Sequence, residues 1–228
     1  MPSSRPLTSW SGWTDLQFTC EGLLFDMDGT LIDSTAAMAR IWGRWLTNHG
    51  LDAPSIIPKI HGMRASETIR QFNLPGVDPQ VEAKVIEVEE TEDTKGIFAL
   101  PGALAFLSAI PKGKWSLVTS APVRLAHARL KAAGIPVPQI AVYGEDVKVG
   151  KPNPEPFTTG AARLGLPNSA CIAFEDAAAG IASAAAAGSQ VVVITATHHG
   201  PMATRHFAMQ DYSQAKISVN GDRLTLSL

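Results

Sequence analysis

The 228-residue sequence has little cysteine and little net charge. Its two cysteines, Cys20 and Cys171, lie far apart in the chain, and such sparse cysteine is typical of proteins from a reducing compartment. Because Cys171 lies in an apolar run, we expect it to be a buried free thiol. The formal net charge of −2 gives no reason to expect nucleic acid or an anionic membrane as a partner.

Long apolar segments are absent as well. No apolar run approaches the roughly 20 residues that span a bilayer, and the N-terminal stretch lacks the continuous apolar segment of a signal peptide. We therefore expect a cytoplasmic protein with no membrane partner, either a monomer or a small homo-oligomer. Residues 1–15 are interpreted as an N-terminal tail.

What the chain does contain is enough apolar sequence for a sizeable core. Hydrophobic residues make up 45% of it and charged residues 18%. The length suits a core domain with a modest insertion. Short apolar runs are predicted as β-strands: GLLF (22–25), WSLV (115–118), IAVY (140–143), ACIAF (170–174) and QVVVIT (190–195). Helices are predicted over 121–134 and 176–188, each ending at a glycine. This alternation predicts the α/β class, a Rossmann-like parallel sheet flanked by helices.

One segment breaks the alternation. Residues 36–98 show no strand pattern and are predicted as an inserted helical cap domain, within a core domain of residues 16–35 and 99–228. A first helix over 35–49 is predicted from residues at helical spacing, namely Met38, Trp42, Trp45 and His49. A second helix, over 79–95, is predicted to begin at Asp78–Pro79. Its predicted apolar seam consists of Val81, Val85 and Val88.

Two further segments are given structural rather than catalytic roles. The acidic run EVEETED (87–93) is interpreted as a solvated helix face rather than a metal site. Residues 216–228 alternate apolar and polar side chains about Asn220–Gly221, which predicts a terminal β-hairpin.

Polar residues follow the predicted strands at the point where each strand ends. They are Asp26, Asp28, Thr119, Ser120, Lys151, Glu175 and Asp176. Each group alone has a structural explanation, as a helix cap or a surface lysine. In open α/β sheets, however, ligands bind at the carboxyl ends of the strands. Their convergence on one edge therefore indicates a catalytic site.

Phosphoryl transfer is the chemistry that fits these residue types. A carboxylate can attack phosphorus to form an aspartyl-phosphate, and a second carboxyl group can protonate the leaving alcohol and then activate water. Mg²⁺ requires hard oxygen ligands, which Asp26, Asp28 and Asp176 can supply. A lysine and a hydroxyl group are suited to hold the phosphoryl oxygens.

Four segments resemble the four motifs of the haloacid dehalogenase superfamily, in the same order: DMDGTLIDS (26–34), VTS (118–120), GKPNPEPF (150–157) and FEDAAAG (174–180). The resemblance covers the chain from about residue 21 to residue 190. More narrowly, HGMRASETI (61–69), KGIFALPGA (95–103) and residues 146–157 are similar to sugar-phosphate phosphatases of the 2-deoxyglucose-6-phosphatase and glycerol-phosphatase group. This implies a magnesium-dependent phosphatase that acts on small phosphate monoesters, sugar or polyol phosphates, through an aspartyl-phosphate.

The resemblance also implies a role for each matching residue. Asp26 would be the nucleophile, and Asp28 would be the general acid and base. Thr119 and Ser120 would bind the phosphoryl group. Lys151 would stabilise that group and help to hold Asp26 ionised.

The implied Mg²⁺ site draws on the same motifs. Asp26 would be a ligand through its carboxylate and Asp28 through its backbone carbonyl. Asp176 would be the distal ligand, with Glu175 in the same metal-binding pair. The residues after Asp28, Gly29 and Thr30, would shape the tight turn.

Outside these motifs, Arg64 in the predicted cap has two open interpretations. It is either a contact to the substrate phosphate or hydroxyls, or a surface arginine at the start of a helix. The adjacent His198 and His199 are interpreted as a solvated loop rather than a metal pair, because no further ligands are evident nearby. His127 is interpreted as a surface residue.

Two alternative functions remain. A phosphomutase of the β-phosphoglucomutase type would use the same Asp26 and Asp28, and differs in whether sugar or water attacks the phosphoenzyme. A non-catalytic binding protein on the same fold would be expected to lack at least one of Asp26, Asp28, Lys151 and Asp176, all of which are present. Dehalogenation fits less well, because that reaction needs neither Asp28 nor magnesium.

Overall fold

The structure, a computed structural model, describes residues 17–198, 200 and 204–228. The predicted tail, 1–15, lies outside these ranges. The strands, in chain order, are β1 (Gln17–Cys20), β2 (Gly22–Phe25), β3 (Ile32–Asp33), β4 (Phe98–Ala99), β5 (Trp115–Val118), β6 (Ala141–Val142), β7 (Cys171–Glu175), β8 (Gln190–Ile194), β9 (Phe207–Met209), β10 (Lys216–Asn220) and β11 (Arg223–Ser227). The α-helices are α1 (Thr35–Asn48), α2 (Ala53–Ile56), α3 (Ala65–Gln71), α4 (Pro79–Glu92), α5 (Ala103–Ala109), α6 (Val123–Ala132), α7 (Glu155–Arg163) and α8 (Ala178–Ala187).

A six-stranded sheet in the order β6-β5-β2-β7-β8-β9 forms the centre of the core. Its neighbouring strands are all parallel, and β2 lies between β5 and β7. The predicted α/β class and the five predicted strands are confirmed, with β6 shorter than the run at 140–143. The sixth strand, β9, was not predicted, because its apolar run of three residues is too short to indicate a strand.

Both faces of the sheet are covered by apolar clusters. Along β2, Leu23 and Phe25 pack into one cluster and Leu24 into the other. The Phe25 ring stacks on Phe174 of β7 at a centroid distance of 4.6 Å. Helices α6 and α8 are the two predicted crossover helices, and Gly134 and Gly188 end them in the left-handed conformation.

The predicted cap segment contains α1 to α4, which enclose a hydrophobic cluster of their own. Trp42 and Trp45 of α1 are buried there, as their helical spacing predicts. The ends of the segment meet in an antiparallel pair between β3 and β4. The sequence showed no strand there, because two-residue strands carry no readable period.

The predicted seam of α4 is wrong. Val81, Val85 and Val88 are 59%, 47% and 42% exposed, whereas Ile86 and Glu90 are the buried residues of this helix. The inward face of α4 is fixed by packing against α1 and by an ion pair between Glu90 and Arg129 of α6. This arrangement turns the valine row toward solvent.

The predicted terminal hairpin is confirmed as β10 and β11, and β1 adds an antiparallel third strand that was not predicted. Cys171 is a buried free thiol, as expected, and so is Cys20. Within the described ranges, no helix combines the length and the apolar character that crossing a membrane requires.

Candidate active site

The chain turns sharply after β2, and this turn brings the first two aspartates to the carboxyl edge of the sheet. The Asp26 amide donates a hydrogen bond to the Phe174 carbonyl of β7 (3.0 Å). Gly29 has a φ of +84°, and a Cβ atom there would overlap the Asp176 carboxylate. Thr30 Oγ1 donates to Asp176 Oδ1 (3.2 Å). The turn therefore packs directly against the residue that follows β7.

Lys151 lies at the centre of the buried charges. Its Nζ atom donates to Asp26 Oδ1 (2.5 Å), Glu175 Oε1 (2.6 Å) and the Val118 carbonyl (3.0 Å). The side chain is 1% exposed. A buried ammonium group is tolerated only when it is paired and hydrogen-bonded. Burial alone would lower the pKa of Lys151, but the Asp26 and Glu175 carboxylates raise it overall.

The carboxylates around Lys151 are in excess. Burial raises the pKa of Asp26 to about 7; Lys151 opposes this rise and Glu175 adds to it. Burial, and then the charges of Glu175 and Asp26, also raise the pKa of Asp176 well above its usual range. Burial is thus the main cause of both raised pKa values, and the ammonium group of Lys151 offsets it only in part.

The same cluster fits a divalent cation. Asp26, Glu175 and Asp176 each offer a carboxylate oxygen, and these oxygens lie within 4.8 Å of one another. Hard, anionic oxygen donors suit Mg²⁺ and similar ions, and a cation would remove the excess negative charge. Glu175 has the most hydrogen bonds of the three within the protein, because its Oε2 atom also accepts the amides of Asp176 and Ala177 (2.9 and 3.0 Å).

The Asp28 side chain forms its hydrogen bonds with residues outside this cluster, although it lines the same cavity as Asp26. Its Oδ1 atom accepts the Ser34 hydroxyl (2.6 Å), and its Oδ2 atom accepts Arg129 NH1 (2.8 Å). Arg129 NH2 in turn donates to Glu90 Oε1 of α4 (2.9 Å). Sequence reasoning missed Arg129. The available signal was a charged residue four positions after Leu125, on the buried face of a predicted helix.

Of the remaining predicted residues, Ser120 and Arg64 form hydrogen bonds between the core and the segment before α3, whereas Thr119 bonds within the core. Thr119 is buried, and its Oγ1 atom accepts the Ala121 amide (3.1 Å). Ser120 Oγ donates to the Gly62 carbonyl (2.8 Å). Arg64 NH2 and NH1 donate to the carbonyls of residues 147 and 148 (2.7 and 3.3 Å). Arg64 is therefore half-buried at this junction, rather than a free surface residue.

A cavity of about 530 Å³ lies above these groups. Its lining includes core residues, namely Asp26, Asp28, Thr119, Ser120 and Arg129, and cap residues, namely Met38, Trp42, His61, Arg64 and Glu90. Lys151, Glu175 and Asp176 lie behind this lining. The cavity is therefore lined by the candidate nucleophile Asp26, by the candidate proton donor Asp28, and by side chains of the helical segment that could contact the rest of a ligand.

The family profile of haloacid dehalogenase-like hydrolases matches residues 20–188, the span that carries every one of these groups. The chain belongs to the haloacid dehalogenase-like hydrolase family. Hexitol phosphatase A of Escherichia coli (strain K12) is 41% identical over 186 residues, which cover 80% of this chain and 86% of the relative. Glycerol-1-phosphate phosphohydrolase 2 of Saccharomyces cerevisiae is 34% identical over 194 residues, covering 80% and 77%.

Solved structures agree with this family. A hydrolase from Pseudomonas syringae aligns with a TM-score of 0.70 and 27% identity, covering 78% of this chain and 86% of that chain. The predicted resemblance to haloacid dehalogenase-like phosphatases of sugar phosphates is confirmed at the level of the family and its relatives. The protein is accordingly an enzyme of this hydrolase family.

Three sequence interpretations need correction in this haloacid dehalogenase-like hydrolase. His198 is half-buried, and its Nε2 atom lies 3.0 Å from the Asp176 carbonyl, so it contacts the backbone of a site residue rather than lying in solvent. His199 lies outside the described residues. His127 is half-buried and contacts the Tyr143 hydroxyl (3.1 Å). Glu90 does not belong to a solvated acidic face, because it is 6% exposed and paired with Arg129.

Proposed function

We propose that this hydrolase is a Mg²⁺-dependent phosphatase of small phosphate monoesters, sugar or polyol phosphates, and that it acts through an aspartyl-phosphate on Asp26. The observation that carries the proposal is the buried contact between Lys151 and Asp26 (2.5 Å), a residue that lines the cavity, with Asp28 two residues further on. Such a pair can hold a nucleophilic carboxylate ionised beside a phosphate.

In the first half-reaction, an Asp26 oxygen attacks phosphorus and the bond from phosphorus to the ester oxygen breaks. Asp28 gives its proton to that oxygen, so that a neutral alcohol leaves. Lys151 and Thr119 stabilise the negative charge on the phosphoryl oxygens, assisted by Ser120.

In the second half-reaction, Asp28 is a carboxylate and removes a proton from water as the water oxygen attacks the phosphorus of the aspartyl-phosphate. Inorganic phosphate leaves, and Asp26 returns to its ionised form. Asp26 and Asp176, with the Asp28 carbonyl and Glu175 completing the set, would hold the Mg²⁺. When bound, this ion supplies charge that offsets repulsion between Asp26 and the phosphate and stabilises the transferring group.

The relatives and the cavity support the proposed substrate class. The relatives named above are phosphatases of hexitol and of glycerol-1-phosphate by name. The cavity falls in the size range of small-molecule sites. Polar side chains of the cap face it, including His61, Gln80 and Lys84, and they can pair with several hydroxyl groups. We propose that residues 36–98 act as a cap, and that Arg64 contributes to substrate selection from its junction with the core.

The experiment is a phosphate-release screen over hexitol, hexose and glycerol phosphates, with MgCl₂ or with EDTA. We expect inorganic phosphate from at least one polyol or sugar phosphate, only with the metal, and none from Asp26→Asn. A phosphomutase would instead interconvert phosphate esters without net release. Tight ligand binding with neither release nor interconversion would indicate a non-catalytic binding protein. Either of these two results would overturn the proposal.

A further inference from the structure

Arg129 occupies an unusual position between the two parts of the molecule. It lies on α6 of the core, and its side chain is 7% exposed. One guanidinium nitrogen donates to Asp28 Oδ2 (2.8 Å) and the other terminal nitrogen donates to Glu90 Oε1 (2.9 Å). Its Nε atom has no hydrogen-bond partner among the described residues. The Arg129 guanidinium group thus forms ion pairs with two carboxylates, those of Asp28 and Glu90.

The two carboxylates belong to different parts of the fold. Asp28 follows β2 of the core, whereas Glu90 lies on α4 of the helical segment, and α4 packs against α6. An uninterrupted chain of polar contacts therefore runs from the helical segment, through one guanidinium group, to Asp28.

Fold stability is a poor explanation for this arrangement. Burying an ion pair carries a desolvation penalty that its attraction often fails to exceed, and an apolar pair of similar volume frequently stabilises as well or better. A guanidinium group does offer what an apolar side chain lacks, namely two donors in a fixed planar geometry. Such a group can set the direction of a carboxylate.

We propose that Arg129 is a positioning residue. Glu90 of the helical segment holds the Arg129 guanidinium group. Arg129 and Ser34 in turn hold the Asp28 carboxyl group in the position from which it transfers protons. This inference rests on the proposed phosphatase function. It makes the placement of Asp28 depend on the helical segment lying against the core. Asp28 remains the residue that gives its proton to the ester oxygen and later takes one from water.

A chromogenic aryl ester separates this role from a merely structural one. The p-nitrophenolate group leaves without protonation, so formation of the aspartyl-phosphate from p-nitrophenyl phosphate does not need Asp28 as an acid. Hydrolysis of the aspartyl-phosphate still needs Asp28 as a base. Loss of Asp28 placement should therefore lower kcat for this ester while sparing kcat/KM, which reports only the steps up to phosphoenzyme formation.

The experiment measures both constants, and the pre-steady-state release of p-nitrophenolate, for Arg129→Lys and Glu90→Gln. General base catalysis contributes about 10²- to 10⁴-fold, so we expect kcat to fall about tenfold or more for Arg129→Lys, with kcat/KM within about threefold of wild type. A burst of one p-nitrophenolate per active site should precede the slow phase. Glu90→Gln should show the same split to a smaller degree, and it decides the matter if Arg129→Lys does not fold.

The matched control is Lys131→Met, an exposed residue on the same helix, which should leave both constants unchanged. The inference is overturned if kcat and kcat/KM fall together without a burst, if neither constant changes, or if the control shows the same split. Absence of phosphate release by the wild-type enzyme from every ester would instead remove the proposed function itself, so the two failures are distinguishable.

Discussion

At the scale of single residues, the site is defined by a surplus of buried negative charge. Asp26, Glu175 and Asp176 are buried within reach of one another, and Lys151 is the one cation among the described residues that pairs with them, through Asp26 and Glu175. A raised carboxyl pKa means that the folded state prefers the protonated form. Without a metal ion, the charge on Asp26 therefore opposes folding, and function is maintained at the expense of stability.

The variant Asp26→Asn tests this balance. The folded pKa of Asp26, about 7, lies above its usual value. The stability linked to the protonated form is therefore present in acid and is lost as pH rises through about 4 to about 7. In EDTA at pH 7.5, we expect Asn at this position to leave the Tm unchanged or to raise it. With Mg²⁺ and substrate, the same variant should release no phosphate. Thermal denaturation at pH 5 and pH 7.5 should show a smaller decline for the variant than for wild type.

A pronounced drop in the Tm of the metal-free variant would contradict this account, because it would mean that the Asp26–Lys151 pair stabilises the fold more than the shared burial opposes it. Lys151→Met provides the opposite control. It leaves the carboxylates without their cation, so we expect it to destabilise the protein.

At the scale of elements, α4 is the helix that lines the cavity, packs into the hydrophobic cluster of the helical segment and contacts Arg129. Its first turn is well capped: the Asp78 carboxylate accepts the amides of Gln80 (2.8 Å) and Val81 (3.4 Å). Pro79 occupies the first helical position, where its missing N–H group does no harm. The helix buries little apolar surface of its own. Its N-terminal capping residue and its contacts to α1, α3 and α6 therefore stabilise it.

We expect Asp78→Ala to lower the free energy of unfolding by about 1 kcal/mol, because two amide donors lose their acceptor. The matched control is Asp52→Ala. Asp52 also precedes a helix, α2, but its side chain makes no capping hydrogen bond. Urea denaturation followed by circular dichroism gives both values. Equal effects of the two substitutions would show that the cap of α4 contributes nothing specific.

At the scale of the whole molecule, sequence predicted what is local and buried. The central strands are continuous apolar runs, and the polar residues directly after them meet at one edge of a parallel sheet. Strands β1 and β9 were missed because they are short and partly exposed, and their pairing is set by distant partners. The buried face of α4 was predicted wrongly for a related reason. The choice of buried face depends on a contact between Glu90 and Arg129. Because Arg129 lies outside residues 79–95, the pattern within that segment cannot predict this contact.

The site shows the same division. Asp26, Asp28, Lys151 and Asp176 stand in motifs, so their meeting was predictable. The partners of Asp28 were not, because Arg129 lies 101 residues away on a helix whose facing residues become known only from the fold. Arg64 remains a predicted substrate contact, with the addition that it also holds the helical segment to residues 147 and 148.

The most direct test of the central claim is to trap the phosphoryl group on the enzyme. The wild-type protein is mixed with Mg²⁺ and a polyol or sugar phosphate that it hydrolyses, quenched in acid within one turnover, digested and measured by mass spectrometry. We predict that the peptide containing Asp26 gains the mass of one HPO₃, that fragmentation places it on Asp26, and that Asp26→Asn shows no such gain. Rapid phosphate release without any phosphorylated peptide, or with the phosphoryl group on another residue, would contradict the account.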